Sequence, residues 1–237
     1  MSRVTLDIAD GLARLTMTRP EKRNALDAAM MDALTAALRE AETTARVVLL
    51  SGAGPVFCAG ADLDAVAGLH TETQVRDHAD RLGGLFATLA DLAIPSICVV
   101  TGSAIGAGCG LVCASDLAIA APNARLGFPE FARGLLPALV IPPLVAAIGQ
   151  RRAMHAICAE DLLSAEEARQ LGIVTRVCDD PAQAALATAR HLCLVPPDRL
   201  GAARTLLRTA ATAPTADARR HAIEANIADR GKPRGQG

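Results

Sequence analysis

Two apolar strands in this chain each run straight into a turn built of glycine and alanine. The first segment is Val47-Val-Leu-Leu-Ser-Gly-Ala-Gly-Pro-Val-Phe-Cys-Ala-Gly-Ala-Asp-Leu63, and the second is Cys98-Val-Val-Thr-Gly-Ser-Ala-Ile-Gly-Ala-Gly-Cys-Gly-Leu111. Strands that are apolar at successive positions suit a parallel sheet buried on both faces. The small residues that follow leave backbone N–H groups uncovered. Two such groups aimed at one point can hold a carbonyl oxygen that is gaining negative charge. A lone carboxylate, Glu130, follows in Leu126-Gly-Phe-Pro-Glu130. It is placed to take the proton whose loss creates that charge. The combination points to enolate chemistry on an activated carbonyl compound.

The rest of the chain reads as alternating strands and helices. Val4–Ile8 and Leu12–Met17 flank the turn signal Asp10-Gly11 and form a hairpin. Asp27 caps a helix to about Arg39, with Met31, Leu34 and Leu38 on one stripe. Arg46–Ser51 and Ser96–Val100 are buried strands. Gln74–Leu92 is a helix that ends before Pro95. Gly106–Ala114 is a short helix, and Leu117–Ala121 and Arg125–Phe128 are strands. Pro142–Ile148 and Arg151–Ala159 are two short helices. Ser164-Ala-Glu-Glu167 is a capping box whose helix stops at Gly172, and Val174–Cys178 is a small strand. Asp180–Leu194, Asp198–Ala211 and Thr215–Asp229 are helices divided by prolines. The expected organisation is an α/β core over residues 1–180, a helical region over 181–230 and a disordered tail over 231–237.

Composition removes several classes of function. Aromatic residues are 2% of the 237, with no Trp or Tyr, and the net charge is −1. Base stacking and phosphate attraction are therefore both weak, which argues against nucleic acid as a partner. No apolar run is long enough to span a bilayer. The strand-like pattern begins at once after Met1, leaving no room for a signal peptide. The seven cysteines have no regular spacing and most lie in apolar runs, so they read as reduced, buried thiols of a cytoplasmic protein. The histidines show no metal-ligand spacing, and no metal is expected.

At this point specific segments carry a resemblance. They are Arg19-Pro-Glu-Lys-Arg-Asn-Ala-Leu26, Phe57-Cys-Ala-Gly-Ala-Asp-Leu63, Gly102-Ser-Ala-Ile-Gly-Ala-Gly-Cys-Gly110, Ser115-Asp-Leu-Ala-Ile119, Gly127-Phe-Pro-Glu130 and Ser164-Ala-Glu-Glu-Ala168 with Gly172-Ile-Val. Together, from about Val4 to about Cys178, the chain resembles the crotonase superfamily, the enoyl-CoA hydratase/isomerase family. The resemblance implies a spiral of ββα units with a helical C-terminal trimerisation region. It also implies acyl-CoA thioester substrates, no cofactor beyond the coenzyme A of the substrate, and homotrimers often paired into homohexamers.

Carried over residue by residue, the resemblance gives an oxyanion hole from the N–H groups of Ala61 and Ala107, with Gly106 opening the helix behind the second. It gives Glu130 as general acid/base. A ring of apolar neighbours (Phe128, Pro129, Phe131, Leu135, Leu136) would desolvate that carboxylate and raise its pKa. It places coenzyme A against Arg23, Ala25, Leu26, Ala59, Gly60, Asp62, Leu63 and Asp64, largely through backbone groups, with Lys22 and Arg23 near the phosphates.

One position departs from the pattern. Hydratases of the family typically carry a second glutamate where this chain has Gly110. One carboxylate is enough to move a double bond from the 3-enoyl to the 2-enoyl position, which favours isomerisation. Gly134-Leu-Leu-Pro-Ala-Leu-Val-Ile-Pro143, however, resembles a bacterial methylglutaconyl-CoA hydratase-like branch whose members also have glycine there. Asp64, Glu72 and Asp116 are the carboxylates that could stand in. An acyl-CoA-binding paralogue without hydratase activity is the alternative. A serine hydrolase at Ser103 lacks the Gly-x-Ser-x-Gly elbow, and a Rossmann module at Gly106–Gly110 lacks the final glycine spacing.

Overall fold

The structure, a computed structural model, describes residues 3–130, 134–159, 161–212 and 215–230. The predicted tail over 231–237 lies outside them.

A hairpin of β1 (Val4–Ala9) and β2 (Leu12–Met17) opens the chain, and helix α1 (Ala28–Thr44) follows. Strand β3 (Val47–Gly52) leads through the first glycine–alanine turn to α2 (Leu63–Ala67) and α3 (Glu72–Asp91). Strands β4 (Ser96–Val100) and β5 (Ser103–Ile105) precede α4 (Ala107–Ala114). Strands β6 (Leu117–Ala120) and β7 (Arg125–Gly127) precede α5 (Ile141–Ile157). Then come β8 (Leu163–Ser164), α6 (Ala165–Leu171), β9 (Arg176–Val177), α7 (Pro181–Leu194), α8 (Pro197–Thr212) and α9 (Thr215–Arg230). The strand–strand–helix unit therefore recurs along the chain, as expected. The larger sheet has the order β1-β2-β3-β4-β6-β9 and is parallel from β2 onward. A smaller sheet has the order β5-β7-β8.

The large sheet is apolar on both faces because helices cover both. Val47, Leu49, Ile97, Val99 and Ile119 pack with Ala184, Ala185 and Ala189 of α7. The alternate residues Val48, Leu50, Cys98 and Val100 join the main core with α1, α3 and α4. This two-sided burial is why β3 and β4 carry no polar alternation. Among the described residues no helix is long and apolar enough to cross a membrane.

Several boundaries move. Helix α1 runs on to Thr44 instead of Arg39, since its buried stripe continues to Ala41 and the Thr43 and Thr44 hydroxyls bond to the Glu40 carbonyl. Helix α3 begins at Glu72, behind a capping box of Thr71 and Gln74. The two short helices expected around residue 149 form one element interrupted at Gly149, whose φ of 76° is not helical. Strand β5 and helix α2 are too short for periodicity to reveal them. The cysteines are all free thiols, but only Cys58, Cys98, Cys109 and Cys113 are buried. Cys158 is exposed and Cys178 and Cys193 are half-buried, contrary to the uniform burial expected.

Candidate active site

The two glycine–alanine turns meet. On one side the first turn lies along β5, with Cys58 N–H donating to Ser103 O (3.1 Å) and Ile105 N–H to Cys58 O (3.0 Å). On the other it lies along the strap 19–27. Ala59 N–H donates to Arg23 O (3.0 Å), Leu26 N–H to Gly60 O (2.8 Å) and Asp62 N–H to Leu26 O (3.0 Å). A β-carbon added to Gly60 would stand 3.3 Å from Ala107 N and 2.6 Å from Ile105 O, so the turn sits directly against the start of α4.

The hydrogen bond at Gly60 O fixes where the next N–H points. The Gly60–Ala61 peptide is planar and trans, so the Ala61 N–H points opposite to the carbonyl that faces the strap. Among the described residues neither the Ala61 N–H nor the Ala107 N–H donates to a backbone carbonyl. Ala107 is the first residue of α4, where N–H groups have no partner within the helix and the dipole favours negative charge.

Glu130 comes to the same place. A β-carbon on Gly106 would lie 2.1 Å from Glu130 Oε1 and 3.1 Å from its Cδ, so the carboxylate rests on the bare face of Gly106, one residue before Ala107. Glu130 is half-buried and its Oε2 is closed off from solvent. Leu135 N–H donates to Glu130 O (2.9 Å) and closes the loop that carries it. The expected apolar surroundings are only partly there. Phe128 is buried, but Leu135 and Leu136 are 60% and 73% exposed. They follow Gly134 in a loop that turns outward, so their side chains lie largely in solvent. Phe131 lies outside the described residues. The Cys109 thiol nearby stays protonated, pushed up by its bond with Cys113 and by burial.

The place of the second acid is filled by hydrocarbon. A β-carbon on Gly110 would stand 2.6 Å from Phe86 Cζ and 3.1 Å from Val140 Cγ1, both in buried side chains. Phe86 did not stand out in the sequence, and Val140 did so only as part of the bulky run Leu139-Val-Ile141; only the fold brings α3 and the Ala138–Val140 turn to α4. The candidate substitutes lie elsewhere. Asp116 accepts from Ser96 N–H (2.8 Å) and from Arg204 Nε (2.8 Å), which ties α8 to the sheet. Glu72 pairs with Arg76 on the exposed first turn of α3. Asp64 pairs with Lys22 Nζ at 2.9 Å. We therefore expect Gly110→Glu to yield no second acid and to lose at least about 1–3 kcal/mol through overpacking. Urea unfolding would measure this; full stability with a gain in water addition would contradict it.

The expected coenzyme positions largely converge. Arg23, Ala25, Ala59, Ala61, Asp62, Leu63 and Asp64 line one groove of about 260 Å³. Leu26 does not, since its side chain is fully buried and only its backbone takes part. Gly60 lies beneath the groove. Lys22 is held by Asp64, so its expected phosphate contact requires this exposed, weak pair to open. Among the described residues no cluster of three or more His, Cys, Asp or Glu is placed to hold a metal ion. Ser103 lies within β5, paired with Arg125, not on a strand-to-helix elbow.

Asp62 is buried and caps α2. Burial works to raise its pKa, but the Arg19 hydrogen bond and the Ala65 and Asp64 N–H groups outweigh it and hold the carboxyl below its ordinary 3.8. A depressed carboxyl stabilises the fold above its unfolded pKa, and this stabilisation is lost as pH falls through the folded value. Acid titration of native stability should therefore be steeper in the native protein than in Asp62→Asn below about pH 4. Equal losses of unfolding free energy between pH 5 and pH 3 in the native protein and in Asp62→Asn would contradict the assignment.

A spiral of strand–strand–helix units with this pair of turns defines the class, and solved structures agree. The enoyl-CoA hydratase/isomerase (crotonase) of Legionella pneumophila superposes with a TM-score of 0.92 at 30% identity, over 100% of this chain and 94% of that one. An enoyl-CoA hydratase from Thermobifida fusca, solved in complex with CoA, superposes with a TM-score of 0.87 at 32% identity, over 97% and 93%. A probable enoyl-CoA hydratase of Rhodobacter capsulatus is 38% identical over 181 residues, 75% of this chain and 69% of that protein. The fold is the crotonase fold. The family model for enoyl-CoA hydratase/isomerase matches residues 7–230, and the chain belongs to that family.

Proposed function

We propose that the protein converts enoyl-CoA thioesters through an enolate, with the N–H groups of Ala61 and Ala107 holding the thioester oxygen and Glu130 as the single general acid/base. The observation that carries this reading is the contact of Glu130 with Gly106, one residue from an N–H that has no backbone acceptor among the described residues. Hydrogen bonds from two fixed donors lower the cost of charge on that oxygen, and removing one such donor typically costs about 2.7–4 kcal/mol of barrier. Glu130 takes a proton from C2, or returns one to it.

With hydrocarbon where a second acid would stand, the side chains favour the double-bond shift, in which one carboxylate removes a proton at C2 and returns it at C4. The names of the relatives favour hydration. Here Glu130 would take a proton from water as the water oxygen bonds to C3, and the protonated Glu130 would then return that proton to C2 of the enolate. The groove between the strap and the first turn takes the coenzyme; that a relative was solved in complex with CoA supports coenzyme binding but not its place. Trimeric assembly belongs to the same proposal. Leu207, Ile223 and Ile227, exposed on α8 and α9, supply apolar surface for it.

The test is incubation with a panel of 2-enoyl- and 3-enoyl-CoA thioesters, read by mass and chromatography. A gain of one water identifies a hydratase, and a new isomer at constant mass identifies an isomerase. No change in any member, with tight CoA binding retained, would leave a binding paralogue and overturn the proposal.

A further inference from the structure

We propose that Arg19 is a positioning residue for the Ala61 N–H, acting through Asp62; this rests on the oxyanion role proposed for Ala61. Arg19 is a buried cation at the start of the strap, only 9% exposed. Its Nη1 donates to Asp62 Oδ2 at 2.6 Å and to Ala25 O at 3.3 Å, and lies 3.1 Å from Asp27 Oδ2. Its own N–H donates to Asn24 Oδ1 (3.0 Å), so the residue is anchored at both ends. Arg3 reaches Asp27 Oδ2 at 2.8 Å, giving two cations for two carboxylates.

Asp62 is gripped through both oxygens. Oδ2 takes Arg19, while Oδ1 accepts the N–H groups of Asp64 (3.1 Å) and Ala65 (3.4 Å). Ala61 is the residue directly before it. The tilt of the Gly60–Ala61 peptide depends on how far the first turn stands from the strap, because Leu26 bonds to both sides of Ala61, at Gly60 O and Asp62 N. Arg19 spans that same gap with side-chain atoms, joining Ala25 of the strap to Asp62 of the turn. A short charged bond of this kind is strong, and all three contacts run through Nη1, a point the shorter lysine side chain does not reach in the same way. Loss of the clamp lets the peptide rotate. Small displacements of a catalytic group can cost about a hundredfold in rate.

The test uses the full chain with butyryl-CoA carrying carbon-13 at the thioester carbonyl. Infrared difference spectra report how strongly the bound carbonyl is polarised, and deuterium uptake at C2 reports turnover to the enolate. In the native protein the carbonyl stretch should fall below its solution value. In Arg19→Met and Arg19→Lys it should move back towards that value. Deuterium uptake should drop about 10- to 100-fold in kcat, a larger factor than any loss of free-CoA affinity. Asp62→Asn keeps an oxygen to cap α2 and should shift both readouts in the same direction by less. If Arg19→Met does not fold, the Lys and Asn variants decide. Folded Lys and Asn variants with native stretch and native exchange would overturn the clamp alone. A native protein with neither a lowered stretch nor exchange would overturn the site reading and the clamp with it.

Discussion

Glu130→Gln is expected to lower kcat/KM for the preferred enoyl-CoA by about 10²- to 10⁴-fold, the usual contribution of a positioned acid/base. Glutamine has nearly the same shape and can rest on Gly106 as the carboxylate does. The substitution therefore removes proton transfer while sparing the packing. Affinity for free CoA should be unchanged, since Glu130 does not line the groove beside the strap. Steady-state kinetics and a CoA titration give both. A variant with native kcat/KM would place the base elsewhere.

Gly106→Ala is expected to do comparable damage without touching a reacting group. Gly106 has φ 53° and ψ −118°, a backbone region that an L-residue enters only with strain of about 1–3 kcal/mol. The new methyl would also sit 2.1 Å from Glu130 Oε1, so the carboxylate must swing away from the start of α4. The Gly106 N–H donates to Gly127 O at 2.8 Å and ties this residue to the strand just before Glu130, which leaves the loop little room to follow. Turnover should drop about a hundredfold or more from misplacement alone, with a lowered melting temperature. Unaltered kinetics in a folded variant would mean that the Glu130–Gly106 contact has no part in the chemistry.

The sequence was most legible where local chemistry decides structure. Strands β3 and β4 were visible as unbroken apolar runs because both faces of the large sheet are covered. Asp27, Ser164 and Gly172 announced helix ends because capping is set within a few residues. The two turns and Glu130 were legible through the family resemblance, and the structure brings them together. Non-local pairing stayed hidden. Strand β5 gains its identity from Arg125–Gly127, which lies in a later unit, and from Cys58 of the first turn. Phe86 and Val140 close the Gly110 position from elements that no local pattern links to it. Arg19 carried no signal of its own before a proline, and its partner Asp62 lies 43 residues away. The exposed leucines, Leu135 and Leu136, show the reverse error, in which adjacency along the chain was taken for shared burial.

The most direct measurement of the central claim is hydrogen exchange at C2 of a saturated acyl-CoA in deuterium oxide, followed by mass. No water is added and no double bond moves, so the readout isolates enolate formation. The native chain should introduce deuterium at C2 well above the uncatalysed rate, and Glu130→Gln should not. Tight binding of the acyl-CoA with no deuterium gained by the native chain would contradict the account.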